Sequence, residues 1–406
     1  MRATLRPEGP NIISRLGRSI YDWLDERYPL SYFLNRLLSD PVPKRFGWLY
    51  TFGGAIVLLT IIQITTGIVL LFHYVPDWND AYSSIQAINY DILFGNWIRG
   101  YHYWNGYMLV FLIGIHMART YFSSAYKRPR ELTWVVGVFL FILMTATAYT
   151  GACLRMDQTG FYTFMVGEHI MGWTPIVGLW FKEIWLGGDR INPASLTRTF
   201  ALHVWVLPSI LLGMIFIHVL FVVLQGQYGS WLNYRKRRGE HMADTLTMEE
   251  DEFTSYVKAQ EEVNSPQSRK HELPDDTDYF FPQHSFREGA VAFVCFLVVI
   301  LLTFTAYPTL DEPANAATST FVPLPEWFML PADQMLPYLP GWMIPFLPVI
   351  FGVFITYLIL LPFVDRHKSA SIFRRPVALA TGIIIAFSIF TLLLLALYRI
   401  ENFNTQ

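Results

Sequence analysis

The sequence predicts an all-α membrane protein of seven spans, a four-helix bundle followed by three further transmembrane helices. Three observations carry that expectation. Hydrophobic residues make up 53% of the 406 positions and charged residues only 15%, outside the range of ordinary soluble domains. Several apolar runs reach the roughly 20 residues that cross a hydrocarbon core of about 30 Å. A long charged segment without apolar periodicity then parts four such runs from three.

The spans are expected at 48–74 (A), 97–122 (B), 133–153 (C), 198–224 (D), 287–308 (E), 343–363 (F) and 376–399 (G), each bounded by charged, Gly-rich or Pro-rich sequence. Lys and Arg cluster in the N-terminal arm (Arg15 to Arg45), the B–C loop (Lys127, Arg128, Arg130) and the F–G loop (Arg366, Lys368, Arg374, Arg375), whereas the A–B and E–F connections contain neither. By the positive-inside rule the N-terminus is cytoplasmic and the seventh span ends outside. The expected organisation is a cytoplasmic arm with an amphipathic segment (1–47), a four-helix bundle (48–224), a charged and partly disordered cytoplasmic linker (225–286) and a three-helix domain (287–406). No signal peptide is expected, because the first forty residues hold no apolar core with a cleavage site. The net charge of −2 names no partner, and nucleic acid is not expected. Cys153 and Cys295 have neither CxxCH nor paired-CxxC spacing and are read as reduced packing residues.

The chemistry lies in histidines. His102 and His116 fall in span B, 14 residues apart, and His203 and His218 in span D, 15 apart. At about 100° per residue both spacings return near the same helix face, separated by roughly 21 Å of rise. One isolated intramembrane histidine is read as a satisfied core residue. Four of them, paired across two helices running the same way, offer two axial ligands at each of two depths: His102 with His203 on the outer side, His116 with His218 on the inner side. Imidazole suits iron, and haem is the metal cofactor that two opposed histidines clamp, so two non-covalent b-type haems are expected. Gly53 and Gly67 on span A, and Gly137 and Gly151 on span C, repeat the 14-residue spacing. Helix packing explains one such pair, and the repetition favours clearance for a flat macrocycle. Arg99 and Arg119, three residues outside His102 and His116, are placed to pair with propionates or to anchor the helix at the interface.

The segments YDWLDER (Tyr21–Arg27), LYTFGGA (Leu49–Ala55), KRPRELTWVVGV (Lys127–Val138), SLTRTFALH (Ser195–His203), PEWF (Pro325–Phe328) and FRRPVA (Phe373–Ala378) together resemble cytochrome b of quinol-oxidising bc complexes. The 15-residue spacing, the FRRP segment and the lack of an eighth span are similar to a fused cytochrome b6 and subunit IV. The resemblance implies a di-haem subunit of a quinol:cytochrome c oxidoreductase in the bacterial inner membrane. Quinol would be oxidised outside, with one electron passing to a Rieske iron–sulfur protein and one through both haems to quinone inside, contributing to proton translocation. It also implies a c-type cytochrome partner and a homodimeric complex. In the family a PEWY motif lines the outer quinol site and its glutamate takes a quinol proton, which maps onto Pro325, Glu326, Trp327 and Phe328. A carboxyl at an apolar mouth can have its pKa raised into the range useful for that role.

Three positions depart from the family pattern. Leu154-Arg155-Met156 stands where the family has LPW, so a cation enters the rim of the quinol site. Thr51 replaces the cysteine that tethers an extra haem in the b6 branch, so no third haem is expected, and Val223 and Leu224 replace basic residues near the inner quinone. Two other readings remain at this stage. An electron-conducting anchor for a dehydrogenase leaves PEWF and the second block without a role, and a transporter leaves the histidine spacing without one.

Overall fold

The computed structural model describes residues 12–28, 41–43, 47–225, 277–315, 317, 325–367 and 371–403. The chain divides into two compact units, residues 1–46 with 226–286 and residues 47–225 with 287–406. In the first unit α1 (Ile12–Asp25) is the amphipathic segment of the arm: Leu16, Ile20 and Trp23 recur at helical spacing and are exposed, leaving an apolar stripe uncovered. Strand β1 (Pro41–Pro43) pairs antiparallel with β2 (Thr277–Tyr279), the one ladder among the described residues. Residues 226–276, most of the expected linker, lie outside the described residues.

The second unit is helical. Its elements are α2 (Phe52–Leu71), α3 (Ala81–Tyr90), α4 (Gly95–Phe122), α5 (Glu131–Cys153), α6 (Gln158–Gly172), α7 (Gly178–Leu186), α8 (Pro193–Ala201), α9 (Leu207–Gln225), α10 (Ser285–Thr305), α11 (Leu330–Asp333), α12 (Leu347–Val364) and α13 (Pro376–Phe403). Among the described residues six segments are long and apolar enough to cross a membrane: Phe52–Leu71, Glu131–Cys153, Pro193–Val223, Phe280–Thr305, Gly341–Val364 and Pro376–Ile400. Helix α4, on expected span B, is 28 residues long but stays outside that set, because Arg99, His102, Asn105, His116 and Arg119 make it less apolar. At most 17% of any of the six is buried, and Phe216, Phe304 and Phe387 stand open. Such a surface would aggregate in water and matches lipid tails, which are as apolar as leucine. The protein is therefore a multi-pass membrane protein whose candidate spans are all helical.

The core of the bundle joins four helices. Ile56 and Leu59 of α2, Leu109, Val110, Leu112 and Ile113 of α4, Met144 of α5 and Leu211 of α9 form one buried cluster. Leu109 lies midway between His102 and His116, so this apolar plug sits between the two histidine depths. Truncating such a leucine to alanine costs about 2–5 kcal/mol in well-packed cores.

Helix α8 starts at a capping box: Asn192 accepts from the Ala194 N–H at 2.8 Å, Ser195 Oγ accepts from the Asn192 N–H at 3.0 Å, and Pro193 follows the cap. A π turn over Leu202–Val206 links α8 to α9, with the Leu207 N–H reaching back to the Leu202 carbonyl. Pro208 lies just beyond it; proline has no N–H to give and its ring crowds the carbonyl four residues earlier, which favours such a local widening.

Two of the basic loops are bolted together. Asp365, after α12, receives Lys127 Nζ at 2.9 Å, Arg375 Nη1 at 2.5 Å and the Tyr126 hydroxyl at 2.5 Å, and Arg375 also donates to Tyr126 and Ser124. Burial pushes the Asp365 carboxyl up, but the hydrogen bonds from Tyr126, Lys127 and Arg375 outweigh it and bring its pKa down to about 2. Arg375 is 2% exposed, and removing one partner of a buried pair costs about 3–5 kcal/mol.

Candidate functional site

All four histidines lie on the two helical segments expected to carry them. The rings of His102 on α4 and His203 in the π turn have centroids 6.4 Å apart at 79°. His116 and His218 are electrostatic neighbours at the other depth. The four glycines face these rings one to one. A Cβ built on Gly67 would lie 3.1 Å from His102 Cε1, on Gly151 2.7 Å from His203 Cε1, on Gly53 3.3 Å from His116 Cε1 and on Gly137 3.4 Å from His218 Cε1. Helix α2 thus flanks the histidines of α4, and α5 those of the α8–α9 segment. Each glycine lies against the imidazole edge of one histidine.

The π turn explains why one histidine pair is spaced 14 and the other 15. A π turn takes one residue more than an α turn, and His203 sits within Leu202–Val206. The extra residue of the 15 is absorbed locally, and both pairs keep phase.

The outer rings are oriented by their Nδ1 atoms. His203 Nδ1 donates to the Thr147 carbonyl at 2.9 Å and lies 3.2 Å from Thr150 Oγ1; Thr66 Oγ1 lies 3.0 Å from His102 Nδ1. A proton held on Nδ1 leaves Nε2 with the free lone pair; that of His102 lies 3.2 Å from Gln63 Nε2. These threonines escaped sequence reasoning, although the signal is present: Thr66 precedes Gly67 and Thr150 precedes Gly151, the same dipeptide on both flanking spans. Gln63 and Asn105 were also missed. Gln63 Nε2 donates to the His102 carbonyl at 3.1 Å, and the fully buried Asn105 donates to Gln63 Oε1 at 2.8 Å.

The two arginines differ. Arg99 is buried and donates through Nε to Asn89 Oδ1 at 2.6 Å and through Nη2 to the Tyr307 hydroxyl and the Pro308 carbonyl. Arg119 packs over the Tyr50 ring, 4.3 Å from its centroid, and its buried Nε has no hydrogen-bond partner among the described residues.

Glu326 is 6% exposed and lies in electrostatic range of Tyr103, the residue after His102 on α4. Pro325 leads into a turn in which the Met329 N–H returns to the Glu326 carbonyl at 2.7 Å. Trp327 and Phe328 pack on Tyr107 of α4, with ring centroids 6.3 and 6.2 Å away, between the His102 and His116 positions of that helix. Burial pushes the Glu326 carboxyl up to about 7.

The E–F connection carries no Lys or Arg, which suggests a carboxylate without a cation. The structure corrects that reading, because Arg155 arrives from the turn after α5 with Nη1 3.8 Å from Glu326 Oε1. That turn is zipped to the E–F connection: the Gln158 N–H donates to the Glu312 carbonyl, the Ala314 N–H to the Met156 carbonyl and the Asp311 N–H to Asp157 Oδ2. A loop-by-loop count of charge cannot see a contact between residues 171 positions apart. The cysteines are free; Cys153 packs with Phe164, Trp185 and Leu186, and Cys295 lies against the bundle core.

Comparison with known proteins identifies the family. The family model described as cytochrome b/b6/petB matches residues 37–226. The menaquinol:cytochrome c reductase cytochrome b subunit of Bacillus subtilis is 34% identical over 218 residues, 52% of this chain and 97% of that protein. Cytochrome b6 of Heliobacterium modesticaldum is 34% identical over 207 residues, 50% of this chain and 97% of its own length. A solved structure described as a hyperthermophilic respiratory Complex III superposes with a TM-score of 0.74 at 26% identity, over 92% of this chain and 90% of that one, and so reaches into the second half that the sequence relatives do not cover. The resemblance seen in the sequence is borne out, and the chain belongs to the cytochrome b/b6 family.

Proposed function

We propose that this chain is the di-haem cytochrome b subunit of a quinol:cytochrome c oxidoreductase, working with a Rieske iron–sulfur protein and a c-type cytochrome in a homodimeric complex. The observation that carries the reading is the set of four histidine–glycine facings at two depths, next to a buried carboxyl in PEWF. Each depth offers two imidazoles, a donor set that suits a metal whose remaining ligands come from a macrocycle. The His102 and His203 ring centroids lie 6.4 Å apart, which would leave room for a metal held between the two imidazoles. His102 and His203 would hold the outer haem, His116 and His218 the inner one. Arg119, with its unpartnered Nε, would take a propionate, and Arg99 has Nη1 left for the other. When bound, the two haems supply one-electron transfer between quinol at the outer side and quinone at the inner side.

The chain's own residues do the rest. The glycines let α2 and α5 approach the ligand rings, the threonines hold the outer Nδ1 protons, and the apolar plug around Leu109 keeps the two depths dry and apart. Glu326 accepts a quinol proton, with Trp327, Phe328 and Pro325 shaping the mouth. A carboxyl poised near 7 is half ionised at neutral pH and can both take and release a proton. Counting α4 as a span gives seven, with the termini on opposite sides; the Lys and Arg of the arm and of the B–C and F–G loops favour a cytoplasmic N-terminus, with 48–224 as the haem bundle, 225–286 as a cytoplasmic connector and 287–406 as the quinol-site domain.

The test is Glu326→Gln in complexes of equal haem and Rieske content. Turnover from quinol to cytochrome c is expected to fall at least about tenfold at neutral pH, the low end of general-base effects of about 10²–10⁴ because water can bypass part of it, with both haem spectra unchanged. The acidic limb of the wild-type pH profile, where activity declines as Glu326 becomes protonated, should vanish in the variant. An unchanged rate and profile would remove Glu326 as proton acceptor.

A further inference from the structure

Arg155 sits at the centre of a charge cluster that spans the outer corner of the fold. Its Nε and Nη2 donate to Asp157 Oδ2 at 3.0 and 2.5 Å, Nη2 is 3.8 Å from Asp311 Oδ2, and Nη1 is 3.8 Å from Glu326 Oε1. The three carboxylates differ in what else they have. Asp157 is fully buried and satisfied without Arg155, because it caps α6 through the Gly160 N–H at 2.8 Å and accepts the Asp311 N–H at 3.2 Å. Asp311 is 41% exposed at its side chain and accepts from Thr159 at 2.5 Å. Glu326 is buried, and its Oε1 has no hydrogen bond among the described residues. The two aspartates fix the guanidinium in place, and among the described residues it is the one cation paired with Glu326.

We propose that Arg155 is a positioning residue for proton acceptance at the quinol site: it supplies the counter-charge that keeps Glu326 ionised and ready, and it sets the pH at which quinol oxidation begins to fail. The inference rests on Glu326 being the acceptor. Its specific content is that a residue standing where the family resemblance has a proline has taken over part of the acceptor's tuning. When the quinol hydroxyl transfers its proton to a Glu326 oxygen, the carboxylate becomes neutral and the ion pair is released. Arg155 remains compensated by Asp157 and Asp311, so no uncompensated buried cation is created.

The other groups facing Glu326 do not supply this charge. Tyr103 of α4 is in electrostatic range, but its phenol is neutral, and Arg99, also on α4, is held by Asn89, Tyr307 and Pro308. Asp157 and Asp311 act on Glu326 with the opposite sign, across the same guanidinium.

The experiment compares the pH profile of quinol-to-cytochrome c turnover in the intact complex for wild type, Arg155→Gln, Arg155→Lys, Asp311→Asn and Glu326→Gln, each checked for both haem spectra. The infrared carboxylic C=O band lost in Glu326→Gln is titrated in parallel, a readout independent of turnover. An opposite charge within about 4–6 Å lowers a carboxyl pKa by about 1–3 units. In Arg155→Gln the acidic limb and the Glu326 band should therefore both move up by about one unit or more, and Arg155→Lys should restore most of the shift. Asp311→Asn should move both down, because the guanidinium loses a competing carboxylate; this variant decides the matter should Arg155→Gln fail to assemble. A limb and band unmoved in Arg155→Gln, or in Asp311→Asn, while Glu326→Gln abolishes them, overturns the role of Arg155 and leaves Glu326 standing. A limb that survives in Glu326→Gln itself overturns the underlying reading instead.

Discussion

Gly151→Ala separates a glycine that clears a ligand from one that merely lets helices pack. A Cβ there would lie 2.7 Å from His203 Cε1 and 3.3 Å from both ring nitrogens. Ordinary contact begins near 3.4 Å, so the ring must move by roughly 0.7 Å. It is not free to do so: Nδ1 is bonded to the Thr147 carbonyl and the helix behind it is committed to the π turn. Overpacking of this kind costs about 1–3 kcal/mol, which corresponds to roughly 5- to 150-fold weaker retention of the outer haem. The matching change at Gly137, where the Cβ would meet His218 at 3.4 Å, should cost little, and Gly67 at 3.1 Å and Gly53 at 3.3 Å fall between. Redox-difference spectra of purified variants, resolved by midpoint potential and normalised to protein, give the order of haem loss. Wild-type content and spectra in Gly151→Ala, or greater loss in Gly137→Ala, would refute the facing of glycine on imidazole as the reason for these residues.

Three more outcomes are expected. Thr66→Val removes the hydroxyl beside His102 Nδ1, and since outer partners of ligating histidines are typically worth about 10–100-fold in metal affinity, the outer haem should be retained about tenfold less well with the inner haem unchanged, as read by haem release from detergent-purified protein. Asp365→Asn leaves Arg375 buried without its carboxylate and should destabilise the protein by about 3–5 kcal/mol at neutral pH in thermal unfolding. Because the folded pKa of Asp365 lies below its unfolded value, that contribution is full above 3.8 and fades as pH falls toward about 2, so the gap between wild type and variant should narrow over that window.

Apolar run length and composition located the long apolar helices, with ends that moved by a few residues where local chemistry decides, but not the shorter helices α3, α6 and α7 that lie between them. Expected span D begins at 198, whereas the capping box at Asn192 starts the helix at Pro193. The histidine spacings were legible, but the π turn that reconciles 14 with 15 is a backbone event that no periodicity of side chains encodes; Pro208 was its one visible trace. The glycine echo pointed to residues that face the histidine rings, but spacing reports a shared face and not which ring each glycine meets. The charge environment of Glu326 was the least legible part. It depends on the turn at Leu154–Met156 folding against residues 311–315, a tertiary contact that joins the first block to the second.

The most direct measurement is haem stoichiometry with spin state on the purified complex, by pyridine haemochrome against protein and by electron paramagnetic resonance. Two b-type haems per chain, both low-spin and six-coordinate, are expected from two pairs of facing imidazoles, with His203→Leu removing the outer and His218→Leu the inner. One haem per chain, or a high-spin centre with an open position, would contradict the pairing on which the proposed function stands.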